Sequence, residues 1–105
     1  MRDLTIVLTL KDRKEFTRRW LDWMAHQSCE FPILIADGDA DKSFTKALLK
    51  EVKYSTLKIR YIEYPEDKNF SDYFNKVNDA VSKVRTSFVI LADNDDFIFD
   101  QRLQD

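Results

Sequence analysis

Apolar and polar positions along the chain switch repeatedly between two periods, and the switches divide it into seven segments. Leu4-Thr5-Ile6-Val7-Leu8-Thr9-Leu10 is β-branched and mostly apolar on both alternating faces, the pattern of a buried strand. Phe16, Trp20, Trp23, Met24 and Gln27 then follow helical spacing and predict an amphipathic helix over about 14–27. Phe31-Pro32-Ile33-Leu34-Ile35-Ala36 reads as a second buried strand, its proline near the start where a missing N–H costs least. Phe44, Ala47, Leu48 and Val52 outline a shorter helix, with Asp41 or Ser43 available to cap it. From Leu57 to Tyr64 a third strand alternates Lys58 and Arg60 with Leu57, Ile59 and Tyr61, and charges of that kind suit a sheet edge. Phe70, Tyr73, Phe74, Val77, Ala80, Val81 and Val84 form the longest helical stripe, with Asn69 or Ser71 as its cap. Ser87 to Ala92 is a fourth strand, apolar on both faces and therefore expected to be central.

Strands alternating with helices long enough to cross over predict a parallel sheet covered on both faces, a Rossmann-like three-layer α/β/α arrangement. With the third strand at an edge, the simplest order is 3-2-1-4. Direction reverses between strands one and four, and ligands of open α/β sheets bind beyond the carboxyl ends at such a point. The residues that matter are therefore those just after Leu10, Ala36 and Ala92.

Composition removes several alternatives. A length of 105 residues is read as a single domain over 1–105. Seventeen Lys+Arg against nineteen Asp+Glu give a net charge of −2, which argues against a nucleic-acid partner. No apolar run is long enough to span a membrane and no leader pattern is visible, so a cytoplasmic location is expected. The single glycine, Gly38, excludes both glycine-rich phosphate loops, and the single cysteine, Cys29, excludes a disulfide framework or a cysteine zinc site.

Seven carboxylates fall at the predicted strand ends: Asp12 after the first, Asp37, Asp39 and Asp41 after the second, and Asp93, Asp95 and Asp96 after the fourth. Carboxylates gathered in one place repel one another unless a cation sits among them. Oxygen donors of this kind suit Mg²⁺, Mn²⁺ or Ca²⁺. On extended backbone Asp93 and Asp95 point the same way and can face one site. Aspartates also make turns and caps, and that is the preferred reading for Asp39 and Asp41.

These pieces together resemble the N-terminal, nucleotide-binding half of the GT-A glycosyltransferases, particularly the family-2 group. The resemblance rests on Leu4–Thr9 with Asp12-Arg13 after it, Phe16 and Trp20, Ile33-Leu34-Ile35-Ala36-Asp37-Gly38, Asn78, and Phe88 through Asp93-Asn94-Asp95-Asp96. It implies a nucleotide-diphosphate sugar donor, with a UDP-sugar favoured, and an acceptor that the sequence does not identify. Asp37 and Gly38 resemble the family's Asp-Asp-Gly-Ser motif, whose second acid accepts from the nucleotide base. Thr9, Lys11, Asp12 and Arg13 would then lie against base and ribose, with Asn78 facing the pocket. Asp93 and Asp95 resemble the Asp-x-Asp motif, Asp93 approaching ribose or metal and Asp95 ligating Mg²⁺ or Mn²⁺. The chain departs from the pattern at Ala36 and Asp39, which stand for the first acid and the serine, and Lys76 lies one step from the usual basic position before Asn78. The family's general base lies after the Asp-x-Asp motif, so it is expected beyond Asp105, the chain is expected to be part of a longer protein, and alone it is expected to be inactive.

Two other classes share this outline. A noncatalytic α/β binding or scaffold domain would keep the fold without turnover. A receiver-type signalling domain would use an acidic Mg²⁺ pocket, yet needs an acid pair after the first strand where only Asp12 stands. His26, near the end of the first helix, is read as facing the helix dipole, Trp20 and Trp23 as core and rim, and Asn69-Phe70-Ser71 as a helix cap.

Overall fold

A computed structural model of the chain describes residues 3–94. Four parallel strands, β1 (Leu4–Leu10), β2 (Ile33–Asp37), β3 (Ile59–Glu63) and β4 (Phe88–Asp93), form one sheet in the order β3-β2-β1-β4. Helices α1 (Lys14–His26), α2 (Ser43–Leu48) and α3 (Phe70–Ser82) make the connections, with a short 3₁₀ turn at Val52–Tyr54. This is the Rossmann-like arrangement and strand order expected from the pattern.

Alternation along the strands sorts the core into two layers. Leu4, Ile6, Leu8 and Leu10 of β1 join Ile33 and Ile35 of β2 against Trp20, Leu21 and Met24 of α1, with Leu48 of α2 and Tyr54 closing the layer. Trp20 is fully buried, as its place in the stripe requires. The opposite layer is thin: Val7, Leu34 and Ala36 meet Ala80 of α3, with Ile62, Val84 and Val89 packed at its margin.

Two expectations are corrected there. In the α3 stripe, Phe70 is 75% exposed and Phe74 and Val81 are also exposed, while Lys76 and Ala80 turn inward. The periodicity of the apolar residues does not reveal this, because Lys76 enters the sheet face through a polar partner described below. Strand β4 holds its expected place in the order 3-2-1-4, yet among the described residues it is not covered on both faces as a central strand would be, and Phe88 and Leu91 are 63% and 52% exposed. Its apolar character on both faces reflects surface that the described residues leave uncovered.

Local chemistry fits the expected start of α3, whereas α2 ends at Leu48, and Val52, expected in its stripe, is exposed in the 3₁₀ turn. Asn69 caps α3, its side-chain oxygen accepting the Asp72 amide at 2.9 Å. Asp41 accepts from the amide and hydroxyl of Ser43 at 3.0 and 2.7 Å, a turn-forming role just before α2. His26 stacks on Trp23 in the last turn of α1, with ring centroids 6.1 Å apart.

Candidate functional site

Parallel pairing carries the carboxyl ends of β1, β2 and β4 to one rim, with Leu10 level with Asp37 and Thr9 level with Ala36 and Asp93. Three connections meet there: 11–13 after β1, 38–42 after β2, and the 64–69 segment leading into α3. A single main-chain oxygen ties them together. The Leu10 carbonyl accepts the Gly38 amide at 2.9 Å and the Lys76 ammonium at 2.9 Å. Lys76 is also paired with the buried carboxylate of Asp67, whose own amide donates to the Gly38 carbonyl at 3.0 Å. A buried ion pair of this kind holds only while both charges keep their partners. The remaining oxygen of Asp67, Oδ1, is buried and has no hydrogen-bond partner among the described residues.

This packing explains the glycine. Gly38 does not have a positive φ. A side chain there would instead place its Cβ 2.5–2.7 Å from the Asp67 carboxylate. Asp67 can close over the strand end only because position 38 carries no Cβ.

The loop after β1 is held in an uncommon backbone state. Asp12 and Arg13 have φ of 62° and 60°, a left-handed conformation that residues with a Cβ adopt at a cost of roughly 1–2 kcal/mol each. Surrounding contacts hold them there. The Asp12 amide donates to the Asp39 carboxylate, and the Ala40 amide donates to Asp12 at 3.3 Å. Asn94 reaches across from the end of β4, its Nδ2 donating to the Thr17 hydroxyl at 3.1 Å and to the Asp12 and Arg13 carbonyls at 3.3 Å. The residue between the two aspartates of the Asp-x-Asp pattern thus faces inward and fixes the first loop.

Asp37 and Asp39 lie beneath the rim. Asp37 is 0% exposed, and both its oxygens accept from the protein, Oδ2 from the Tyr61 hydroxyl at 2.5 Å and Oδ1 from the Asp39 amide at 2.9 Å. Burial and the neighbouring Asp37 carboxylate hold the Tyr61 hydroxyl well above the ordinary phenol range. Asp39 is also buried. Burial first, then repulsion by Asp37 and Asp12, pushes its carboxyl up to about 6 despite the Asp12 amide bond.

Above these residues lies a cavity of about 310 Å³ lined by Thr9, Lys11, Arg13, Tyr73, Lys76, Asp93 and Asn94. Asp93 is exposed at its edge and accepts from the Thr9 hydroxyl at 2.7 Å. Lys11 leans toward Asp12 and Glu66, at 3.3 and 3.4 Å. The lining therefore carries three cationic side chains and one carboxylate, a different balance from the acid-rich rim that spacing alone suggests. Of the expected site residues, Thr9, Lys11, Arg13 and Asp93 come together here. Asp12 stands beside them with its carboxylate in the loop network, and Asp37 and Gly38 are buried below. Asn78 is exposed on α3 and does not line this cavity. Asp95 and Asp96 lie outside the described residues. Among the described residues no group of three or more His, Cys, Asp or Glu side chains is set to hold a metal ion, and Asp93 is the one carboxylate in the cavity lining. Lys76, Asp67, Tyr61 and Asn94 were not identifiable as site-building residues from the pattern. The one available signal was Lys76, a cation one step from the basic position that the family resemblance puts before Asn78.

No family profile matches the chain, and no curated protein does. Among solved structures it is similar to S. aureus TarS, with a TM-score of 0.72 and 17% identity over 99% of this chain and 18% of that one. It is similar also to TarS residues 1–349, at a TM-score of 0.73 and 17% identity, covering 99% of this chain and 30% of that one. A third likeness is to TarS 1–349 in complex with UDP-GlcNAc, at a TM-score of 0.71 and 18% identity, covering 99% and 29% respectively. The chain thus spans less than a third of the length of each. At this level of identity the likeness defines the fold, which is that of the N-terminal half of a GT-A domain.

Proposed function

We propose that the chain is the donor-binding half of a glycosyltransferase that takes a nucleotide-diphosphate sugar, with a UDP-sugar favoured. The observation that carries this reading is the cavity at the β1/β4 switch, where Thr9 fixes the Asp93 carboxylate beside Lys11 and Arg13. The likeness to a protein solved with UDP-GlcNAc supports the same reading. A diphosphate brings two or more negative charges, and exposed Lys11 and Arg13 at the cavity mouth are placed to attract it. Thr9 and Asp93 present a hydroxyl and a carboxylate to ribose or base. Lys76 acts from beneath, fixing the strand end rather than meeting the ligand, because its ammonium is already shared by Asp67 and the Leu10 carbonyl. Asp93 and Asp95 would hold Mg²⁺ or Mn²⁺, which when bound offsets diphosphate charge and stabilises the leaving group. Acceptor and general base would come from a further part of a longer protein.

The test is thermal denaturation with UDP, GDP and CDP, each with and without Mn²⁺. Metal-dependent stabilisation by a nucleotide, lost in Asp93→Asn, is the expected result. No response to any nucleotide sinks the donor-site reading. That outcome would favour a noncatalytic α/β binding domain, a reading in keeping with the complete internal engagement of Asp37.

A further inference from the structure

We propose that a second cleft, at the opposite end of the sheet from the cavity above, binds a ligand bearing a phosphate monoester. It has a volume of about 630 Å³ and lies between the start of β2 and β3 and the segment joining α3 to β4. That volume falls within the range of small-molecule sites. Thr5 lies in its lining and Thr9 in the other cavity, so about 13 Å of β1 separates the two.

Four cationic side chains, Lys58, Arg60, Lys83 and Arg85, line this cleft, and no acidic residue does. Such a concentration stands out in a chain whose net charge is −2. Two of the four are partly committed: Arg60 donates to the Lys83 carbonyl at 3.1 Å, and the Lys83 ammonium pairs with Asp79 at 2.5 Å. These contacts satisfy the last turn of α3. They do not account for Lys58 and Arg85, which are exposed and have no carboxylate partner among the described residues. Two uncommitted cations facing one cleft repel each other, and a shared dianion relieves that repulsion. Arg85, and the N–H groups Arg60 has left, offer the planar donor fork that matches phosphate oxygens, and Lys58 adds a point charge. Leu34 and Val84 are among the apolar residues of the lining, suited to a short carbon skeleton attached to the phosphate. A long polyanion such as a nucleic acid is disfavoured, since its binding would have to overcome an acidic chain beyond the cleft.

The same phosphate monoester chemistry is offered by a soluble sugar phosphate and by the headgroup of phosphatidic acid, and the experiment separates them. In one arm, glycerol 3-phosphate is titrated into ¹⁵N-labelled protein while the amides of Leu34 and Thr86 are followed. In the other, the protein is sedimented with phosphatidylcholine vesicles with and without phosphatidic acid. A saturable response in either arm supports the site, and the responding arm names the source. Lys58→Ala/Arg85→Ala is expected to weaken that response at least tenfold with an unchanged melting temperature. Lys50→Ala, which removes an exposed cation elsewhere, is expected to leave it unaltered. Silence in both arms, an undiminished response in the double variant, or an equal loss in Lys50→Ala overturns the proposal.

Discussion

Asp39→Asn should make this protein more stable at neutral pH, and the reason can be worked through from its surroundings. Asp39 is buried between two other carboxylates, and its side chain accepts the amide of Asp12. Burial, then the charges of Asp37 and Asp12, raise its carboxyl from 3.8 to about 6. An acid raised on folding binds a proton in the native state that the unfolded chain has released. Stability therefore falls as pH rises from about 4 to about 6, and the loss is complete by neutral pH. The interval corresponds to roughly 3 kcal/mol, an upper figure for the cost of the charged form. Asparagine keeps the oxygen that receives the Asp12 amide, turns an N–H₂ toward Asp37, and never ionises. Urea denaturation followed by tryptophan fluorescence should show Asp39→Asn exceeding the parent by up to about 3 kcal/mol at pH 7 and by nearly nothing at pH 4. A gain equal at both pH values, or a loss at pH 7, would refute the reasoning.

Other substitutions test the architecture around the rim. Lys76→Met leaves the Asp67 carboxylate buried without its cation and should cost about 3–5 kcal/mol by urea denaturation, while adding Asp67→Leu should recover most of the loss. Gly38→Ala forces a Cβ against that same carboxylate and should lower stability by about 1–3 kcal/mol, with a smaller effect when Asp67 is also Ala. Asn94→Ala removes the bonds to Thr17 and to the Asp12 and Arg13 carbonyls. It should cost about 1–3 kcal/mol and speed hydrogen exchange in the first turn of α1, whereas unchanged exchange there would mean the loop holds its shape without Asn94.

Strand order was legible because it follows from where charge falls. Lys58 and Arg60 mark β3 as an edge, and the apolar continuity of β1 and β2 marks them as interior. The same logic put β4 in its right place beside β1 but not its exposure, since an apolar strand looks alike whether the described residues cover it or not. At the rim, strand-end placement pointed to the residues after Leu10, Ala36 and Ala92, and parallel pairing does bring Lys11, Arg13 and Asp93 to one cavity. It did not anticipate that Asp37 and Asp39 would be buried, or that Lys76 would bond to a carbonyl 66 residues away. Those facts depend on which group meets which across the sheet, and short-range periodicity holds no record of such meetings.

Position 10 itself is an unusual kind of hub. What joins the first loop, the second loop and α3 is an oxygen of the peptide chain, which every amino acid supplies. Exchanging the leucine for another apolar residue would leave the junction in place. Vulnerability passes to the two donors: a lysine that few residues can imitate, and a glycine that none can replace without displacing Asp67. A search of sequence variants for defects in this rim should begin with those two positions rather than with the strand that carries the acceptor.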